Sequence, residues 1–362
     1  MSENLKKLTD QYNKYIYPKP CEDIESEWIV KNRYQICDPN YHWHKLWPEM
    51  PYERKEMNIL VAGCGSDQAA ILAKCNPIHK FTGIDLSAES LNHQKKLIEK
   101  HKIKNLELIC DDFRNQKFDL KFDYIISSGV IHHLDDPSSA LKFFDKNLSE
   151  NGVLYLMVYG NQQSQAIHGL KDSFKKFEFA QNKNSIESIK KLINKLKANH
   201  PAKIFLSYFN DYAYDAGVID IFLNPKEKFY SLKELMQDLG ENNFIIKNFV
   251  DGRVASATKY FFDNSELLQK FKSLAIEDQL DIAQILNWGD RKVDVICTKT
   301  KNKKFSKIYN KLDLDNIFTF SFQNINYNFD KNNIKIINTK DGTNYNFKFN
   351  NEKINWKAIL SG

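Results

Sequence analysis

No stretch of this 362-residue chain approaches the ~20 consecutive apolar residues that a membrane-spanning helix requires, and its first residues carry no apolar core of the secretory type. No membrane partner is expected. Cysteine is sparse and scattered: Cys21, Cys37, Cys64, Cys75, Cys110 and Cys297 contain no CxxC pair and no zinc-ligand spacing. Several lie in apolar strand-like runs, where cysteine behaves as a small buried hydrophobe, so the expected setting is the cytoplasm with reduced thiols. Basic charge is missing where a nucleic-acid binder would need it. The formal net charge is +6, but residues 301–362 hold 11 Lys against 5 Asp or Glu, and 11 − 5 accounts for all of it. Residues 1–300 balance, and no Lys/Arg cluster interleaves with aromatics as in a nucleic-acid groove. The tail is rich in Lys, Asn, Ile and Phe together, the drift of an AT-rich genome rather than an electrostatic device. Arginine is scarce, which makes Arg33, Arg54, Arg253 and Arg291 candidates for bidentate anion binding.

What is present is ordinary globular composition, 42% hydrophobic and 27% charged, in a chain long enough for one large domain or two modest ones. Residues 1–56 are crowded with large rings, among them Tyr12, Tyr15, Tyr17, Trp28, Tyr34, Trp43 and Trp47, without clear periodicity. They read as a segment that wraps a domain. From Asn58 short apolar runs (58–62, 80–84, 105–110, 122–127, 152–159) alternate with helix-like segments (66–75, 87–101, 136–149). Ser87 is a suitable N-cap, Asp136-Pro137 opens the third helix, and Asn151-Gly152 is expected to close it. Such alternation predicts a doubly wound, mostly parallel sheet. The rhythm breaks over 161–230, which reads as an inserted helical cap with an amphipathic helix over 185–199. It resumes with a helix at 231–241, a strand at 244–250, one helical segment over 264–287 and a last strand at 292–297. Residues 57–300 thus form the main domain, and 301–362 a small β-rich module, with strands at 318–322 and 345–349 and a hairpin turn at Asp341-Gly342.

Two closely spaced glycines, Gly63 and Gly65, end the first apolar run, and Asp85 ends the second some twenty residues on. Glycines let a backbone approach a ligand, and a carboxylate there grips ribose hydroxyls. A dinucleotide site wants a third glycine where this chain has Gln68. Its absence argues against a pyrophosphate clasp. Strand three runs into Cys110-Asp111-Asp112-Phe113 and strand four into Ser127-Ser128-Gly129-Val130-Ile131-His132-His133, so four strand ends converge on the carboxyl edge of the sheet.

In order and spacing, "AGCGSDQ", "GIDLS", "DDF" and "SSGVIHHLDDP" resemble the class I S-adenosylmethionine-dependent methyltransferases. The likeness covers roughly residues 57–160, with a looser one to small-molecule members on either side. It implies a Rossmann-like fold and S-adenosylmethionine as cofactor. It places Gly63 and Gly65 against the methionine part, Asp85 on the ribose, and Asp112 with Phe113 on the adenine, with Ala62, Cys64, Gln68, Leu86, Asp111, Ser128 and Gly129 completing the wall. A sulfonium nucleoside without phosphate needs no third glycine, so Gln68 fits.

Methyl transfer from a sulfonium is an in-line displacement, needing a general base only when the acceptor carries a proton that must leave. His132, His133 and Tyr17 are the catalytic candidates. Tyr12, Tyr208, Asp211, Tyr212 and Tyr214 are the acceptor-pocket candidates, their aromatic faces suiting cationic methyl groups. The loop after strand four is not the Asn/Asp-Pro-Pro-aromatic signature of adenine or glutamine amino methylation, and the acidic ligand set of catechol-type enzymes is missing, so no metal is expected. The expected function is methyl transfer to a small molecule, with a homodimer compatible. A protein or peptide acceptor read by the C-terminal module, and a non-catalytic cofactor-binding scaffold, are the alternatives.

Overall fold

A computed structural model describes residues 2–26, 34–47, 55–208, 210–250, 257–261, 263–287, 292–301, 325–330, 333–338 and 344–348. The expected roles of Arg33, Arg54, Arg253 and Arg291, the strand at 318–322 and the turn at Asp341-Gly342 lie outside them. The chain separates into two compact units, Met1–Ile308 and Tyr309–Gly362.

Strand β1 (Asn58–Ala62) is buried at its last four positions because it sits in the middle of a seven-stranded sheet. It is followed by α2 (Gln68–Cys75), β2 (Lys80–Asp85), α3 (Ala88–His101), β3 (Leu106–Cys110), β4 (Phe122–Ser128), α4 (Pro137–Asn147) and β5 (Leu148–Tyr159); α1 (Glu3–Lys14) precedes them all. The sheet order is β3-β2-β1-β4-β5-β7-β6, with β6 (Phe244–Phe249) and β7 (Lys292–Lys299) beyond the last helices. The first five strands pair in parallel, and β7 runs antiparallel to both its neighbours. Parallel strands covered on both faces must be apolar throughout, and alternate residues divide between two cores. Leu60, Ile125 and Leu154 pack on Phe144 on one face, and Ile59, Val61, Tyr124 and Tyr155 pack on Ile71 on the other.

Local chemistry sets the helix ends. Ser87 Oγ accepts from the Ser90 N–H at 3.1 Å to start α3, and Asp136 with Pro137 starts α4. Helix α4 stops at Asn147 rather than near Gly152. Leu148 instead enters the sheet opposite Phe122, and a register irregularity between Phe122 and Tyr124 absorbs the polar residues before Gly152. Burial of Leu148 outweighs the turn signal of Asn151-Gly152.

The cap is helical: α5 (Asn161–Lys176), α6 (Lys183–Lys195), α7 (Pro201–Ser207) and α8 (Asp215–Phe222) close around Ile167, Phe174, Ile189 and Phe222. The amphipathic segment expected over 185–199 begins two residues earlier, because Asn182 caps it by accepting from Ser185 N–H at 2.9 Å. Helix α9 (Leu232–Glu241) opens with a reciprocal capping box between Ser231 and Glu234. The single helix expected over 264–287 is two, α10 (Ser265–Ser273) and α11 (Ile276–Leu286). Leu274 and Ala275 are extended between them, and Gln279 Nε2 donates to the freed Leu274 carbonyl at 2.9 Å. In the second unit β8 (Ile325–Asp330), β9 (Asn333–Asn338) and β10 (Asn344–Lys348) form an antiparallel sheet ordered β10-β9-β8. No helix among the described residues is long and apolar enough to cross a membrane.

Candidate active site

A cavity of about 410 Å³ lies over the carboxyl ends of the parallel strands, within the size range of small-ligand sites. Its floor is backbone. Gly63, Gly65 and Gly129 all have positive φ (74°, 56° and 76°), which only glycine adopts without strain. A methyl group added at Gly63 would also overlap Val130 Cγ2.

Asp85, at the end of β2, holds the glycine turn in place. Its Oδ2 accepts from the Gly65 N–H at 2.8 Å and its Oδ1 from the Ser87 N–H at 2.9 Å. Each oxygen keeps a lone pair for a ligand hydroxyl. Burial raises the Asp85 pKa above the ordinary carboxylate value, against the lowering effect of these backbone donors. Asp111 and Asp112 line the same end, and Phe113 stacks on Phe144 behind them. The Asp112 carboxylate is clamped by Arg114, whose Nη2 lies 2.6 Å from Oδ2. Asp111 is engaged by the Asp112 N–H and by Gln116 Nε2, each at 2.6 Å. Sequence reading passed over Arg114, the arginine that fixes the Asp112 carboxylate. Cys64, Gln68, Leu86, Ser128 and Gly129 line the cavity as expected, and Gln68 Nε2 is turned toward Cys37 Sγ at 3.6 Å. Ala62 is not at the wall; it packs in the core with Leu60 and Ile84.

The two histidines separate. His133 lines the cavity, and its Nδ1 lies 2.8 Å from the Lys226 carbonyl. A carbonyl only accepts, so Nδ1 carries the proton and Nε2 is the acceptor of the neutral ring. His132 is fully buried beneath, its ring 4.4 Å from that of Tyr159 and 4.2 Å from that of His133. His132 is therefore a packing residue rather than a candidate base. His132, His133 and Glu227 form the one group of potential metal ligands among the described residues, with donor atoms within 4.8 Å of each other. Glu227 is already paired with the Lys171 ammonium, which balances its charge.

The lead and the cap close the roof. Helix α1 buries Leu5 and Leu8 beside Phe113 and Leu134, and carries Tyr12 to the cap, where its hydroxyl donates to Asp220 Oδ1 at 3.0 Å. Tyr17 donates to Asp211 Oδ2 and Tyr214 to Asp211 Oδ1, both at 3.0 Å, and the two rings stack 6.4 Å apart. Tyr17 thus lines the cavity with its proton directed to Asp211. Burial and the adjacent carboxylates push the Tyr12 and Tyr214 hydroxyls well above the ordinary phenol value, keeping both protonated. Tyr208, Tyr212 and Tyr214 are not among the residues that line the cavity; Tyr214 stands behind Asp211. Tyr208 is 76% exposed, and Tyr212 packs on the cap core and donates to the Lys190 carbonyl at 3.3 Å. The far end, which the sequence did not reveal, is lined by Tyr155, Met157 and Tyr159 of β5 with Lys292 and Asp294 of β7. The antiparallel return of β7 sets Asp294 opposite Met157 and Lys292 opposite Tyr159.

The residues fit a sulfonium nucleoside: a backbone floor, an acid with spare lone pairs at one strand end, and an acid with an aromatic behind it at the next. Residues 53–275, more than half of the chain, match the family described as "Methyltransferase domain". The chain is 21% identical over 270 residues to an uncharacterised protein of Synechococcus, covering 69% of this chain and 63% of that one. It is 24% identical over 185 residues to a malonyl-[acyl-carrier protein] O-methyltransferase of Bacillus cereus, covering 51% of this chain and 66% of that one. The structure of PKMT2 from Rickettsia typhi in complex with AdoHcy superposes with a TM-score of 0.64 at 17% identity, over 87% of this chain and 62% of that one. The chain spans less than two thirds of the length of each of these proteins. Fold, glycine turn, strand-end acids and family match agree: the chain belongs to the class I S-adenosylmethionine-dependent methyltransferases.

Proposed function

We propose that this chain transfers a methyl group from S-adenosylmethionine to a small-molecule acceptor. The observation that carries the reading is one cavity that joins Gly63, Gly65, Asp85 and Asp112 to His133 and to the ring–carboxylate contacts of the lead and cap. When bound, the cofactor supplies an electrophilic methyl on sulfur. The chain's own work is positioning and exclusion of water. The turn at Gly63 and Gly65 would carry the amino-acid part, Asp85 the ribose, and Asp112 with Phe113 the adenine. His133 Nε2 would accept a proton from an acceptor that carries one.

A small acceptor is favoured because the roof is stitched to the cap: Tyr12 to Asp220, Tyr17 to Asp211, and Lys14 and Tyr15 to the Gln181 carbonyl, both at 3.2 Å. Such a roof suits a ligand that is enclosed. A polypeptide acceptor has one observation in its favour, the open three-stranded order of the second unit, where β8 and β10 are the edge strands among the described residues and suit strand addition. Titration of S-adenosylmethionine into the protein, followed by labelled-methyl transfer to fractionated metabolites, tests the reading. Failure to bind the donor would refute it.

A further inference from the structure

Strand order divides the cavity. The nucleoside acids stand on β2 and β3, the glycine turn follows β1, and Tyr155, Tyr159, Lys292 and Asp294 stand on β5 and β7, on the far side of β4. Away from the nucleoside acids the cavity's chemistry is one-sided. Three further carboxylates line it, each taking a phenol proton: Asp220 from Tyr12, Asp211 from Tyr17 and Tyr214, and Asp294 from Tyr155. A phenol has one proton, so a tyrosine that gives it to a carboxylate turns only acceptor lone pairs toward a ligand. Among the described residues of the wall, Lys292 is the only permanent cation, two residues from Asp294 on the same strand face. His133 is the remaining titratable nitrogen.

Resting on the methyl-transfer reading, we infer that the acceptor is an aliphatic amine, held as its ammonium form by the Asp211 and Asp220 carboxylates and methylated on nitrogen. The N–H donors of an ammonium meet the Asp211 and Asp220 carboxylates, whereas a carboxylate or phosphate there meets like charge; Lys292 stands beside Asp294 on β7. The ring of Tyr17, which lines the cavity and is backed by Tyr214, offers a π face to the methylated cation. The charges that bind an ammonium also hold its proton, so a base is needed in the same cavity. His133 Nε2 takes that proton, the freed nitrogen lone pair bonds to the methyl carbon, and the carbon–sulfur bond breaks with its electrons left on sulfur. Nitrogen keeps the positive charge and sulfur becomes neutral.

The test uses the full chain with labelled donor against short primary alkylamines, their length-matched carboxylates and alcohols, free lysine, and a lysine-containing peptide. Label is expected in amines only. Free amines and peptide lysine distinguish two sources of the same chemistry, and label in either supports the inference. Asp211→Asn and Asp220→Asn should each raise the amine KM about tenfold or more, the scale of one charge-assisted hydrogen bond, with donor affinity within about threefold. Tyr208→Ala, at an exposed site, should change neither. A protein that binds donor yet labels no amine, or prefers a carboxylate or alcohol, overturns the inference alone, as does an unchanged KM in both variants. A wild type that binds no donor overturns the methyl-transfer reading, and this inference with it.

Discussion

Asp85 holds the site together as well as lining the cavity, since one carboxylate ties Gly65 to the start of α3. Asp85→Ala is expected to abolish donor binding in calorimetry; affinity within about threefold of wild type would sink the ribose assignment. The raised Asp85 pKa carries a pH dependence with a definite sign. Ribose hydroxyls donate to the ionised carboxylate, so protons compete with the donor. Affinity should therefore fall as pH drops through the raised pKa, beginning above the ordinary aspartate range. An acid-side loss starting only within that ordinary range would contradict it. The histidines should part company too. His133→Ala should lower turnover of a proton-bearing acceptor at near-constant donor affinity. His132→Ala should cost stability, about 2–5 kcal/mol as for other large-to-small core truncations, read as a lower denaturation midpoint. Sequence alone could not separate them, because adjacent residues of a short 3₁₀ turn point to different sides.

At the level of elements, the strand ends proposed to hold the donor were legible because each joins an apolar run to a polar or glycine terminus: Gly63 after β1, Asp85 at the end of β2, Asp112 after β3. The proposed acceptor end was not. Asp220 lies in the middle of an apolar helix, and Asp294 in an apolar strand, so each reads as an isolated acid until α1 and β5 bring a tyrosine to it. The cap's own dependence on one glycine was likewise hidden. Gly217 in α8 lies so close to the turn carrying Asp211 that an added methyl would overlap the Asp211 carbonyl. Gly217→Ala must displace that turn and should raise the acceptor KM while leaving donor affinity intact. If both parameters hold, Asp211 is not an acceptor ligand. A helix-capping mutation outside the cavity lining is the control: Ser231→Ala breaks the capping box of α9 and should cost about 1 kcal/mol of stability without altering either constant.

Across the whole molecule, every described residue of the cavity wall falls within Met1–Ile308, and Tyr309–Gly362 is a compact unit of its own. A chain ending at Ile308 keeps the seven-stranded sheet, the cap and the lead, because the last strand of that sheet ends at Lys299 and Lys301 still pairs with Glu150 at 3.2 Å. Truncation after Ile308 is therefore expected to leave donor affinity and turnover of a free small acceptor unchanged. Its effect on an acceptor carried by a polypeptide is the discriminating measurement. If turnover of a peptide-borne acceptor collapses in the truncated chain while a free acceptor is unaffected, the β10-β9-β8 sheet is a recognition device added to a self-sufficient catalyst. If the free acceptor is lost as well, with donor binding and thermal unfolding unchanged, the division of labour is wrong and the second unit takes part in the reaction.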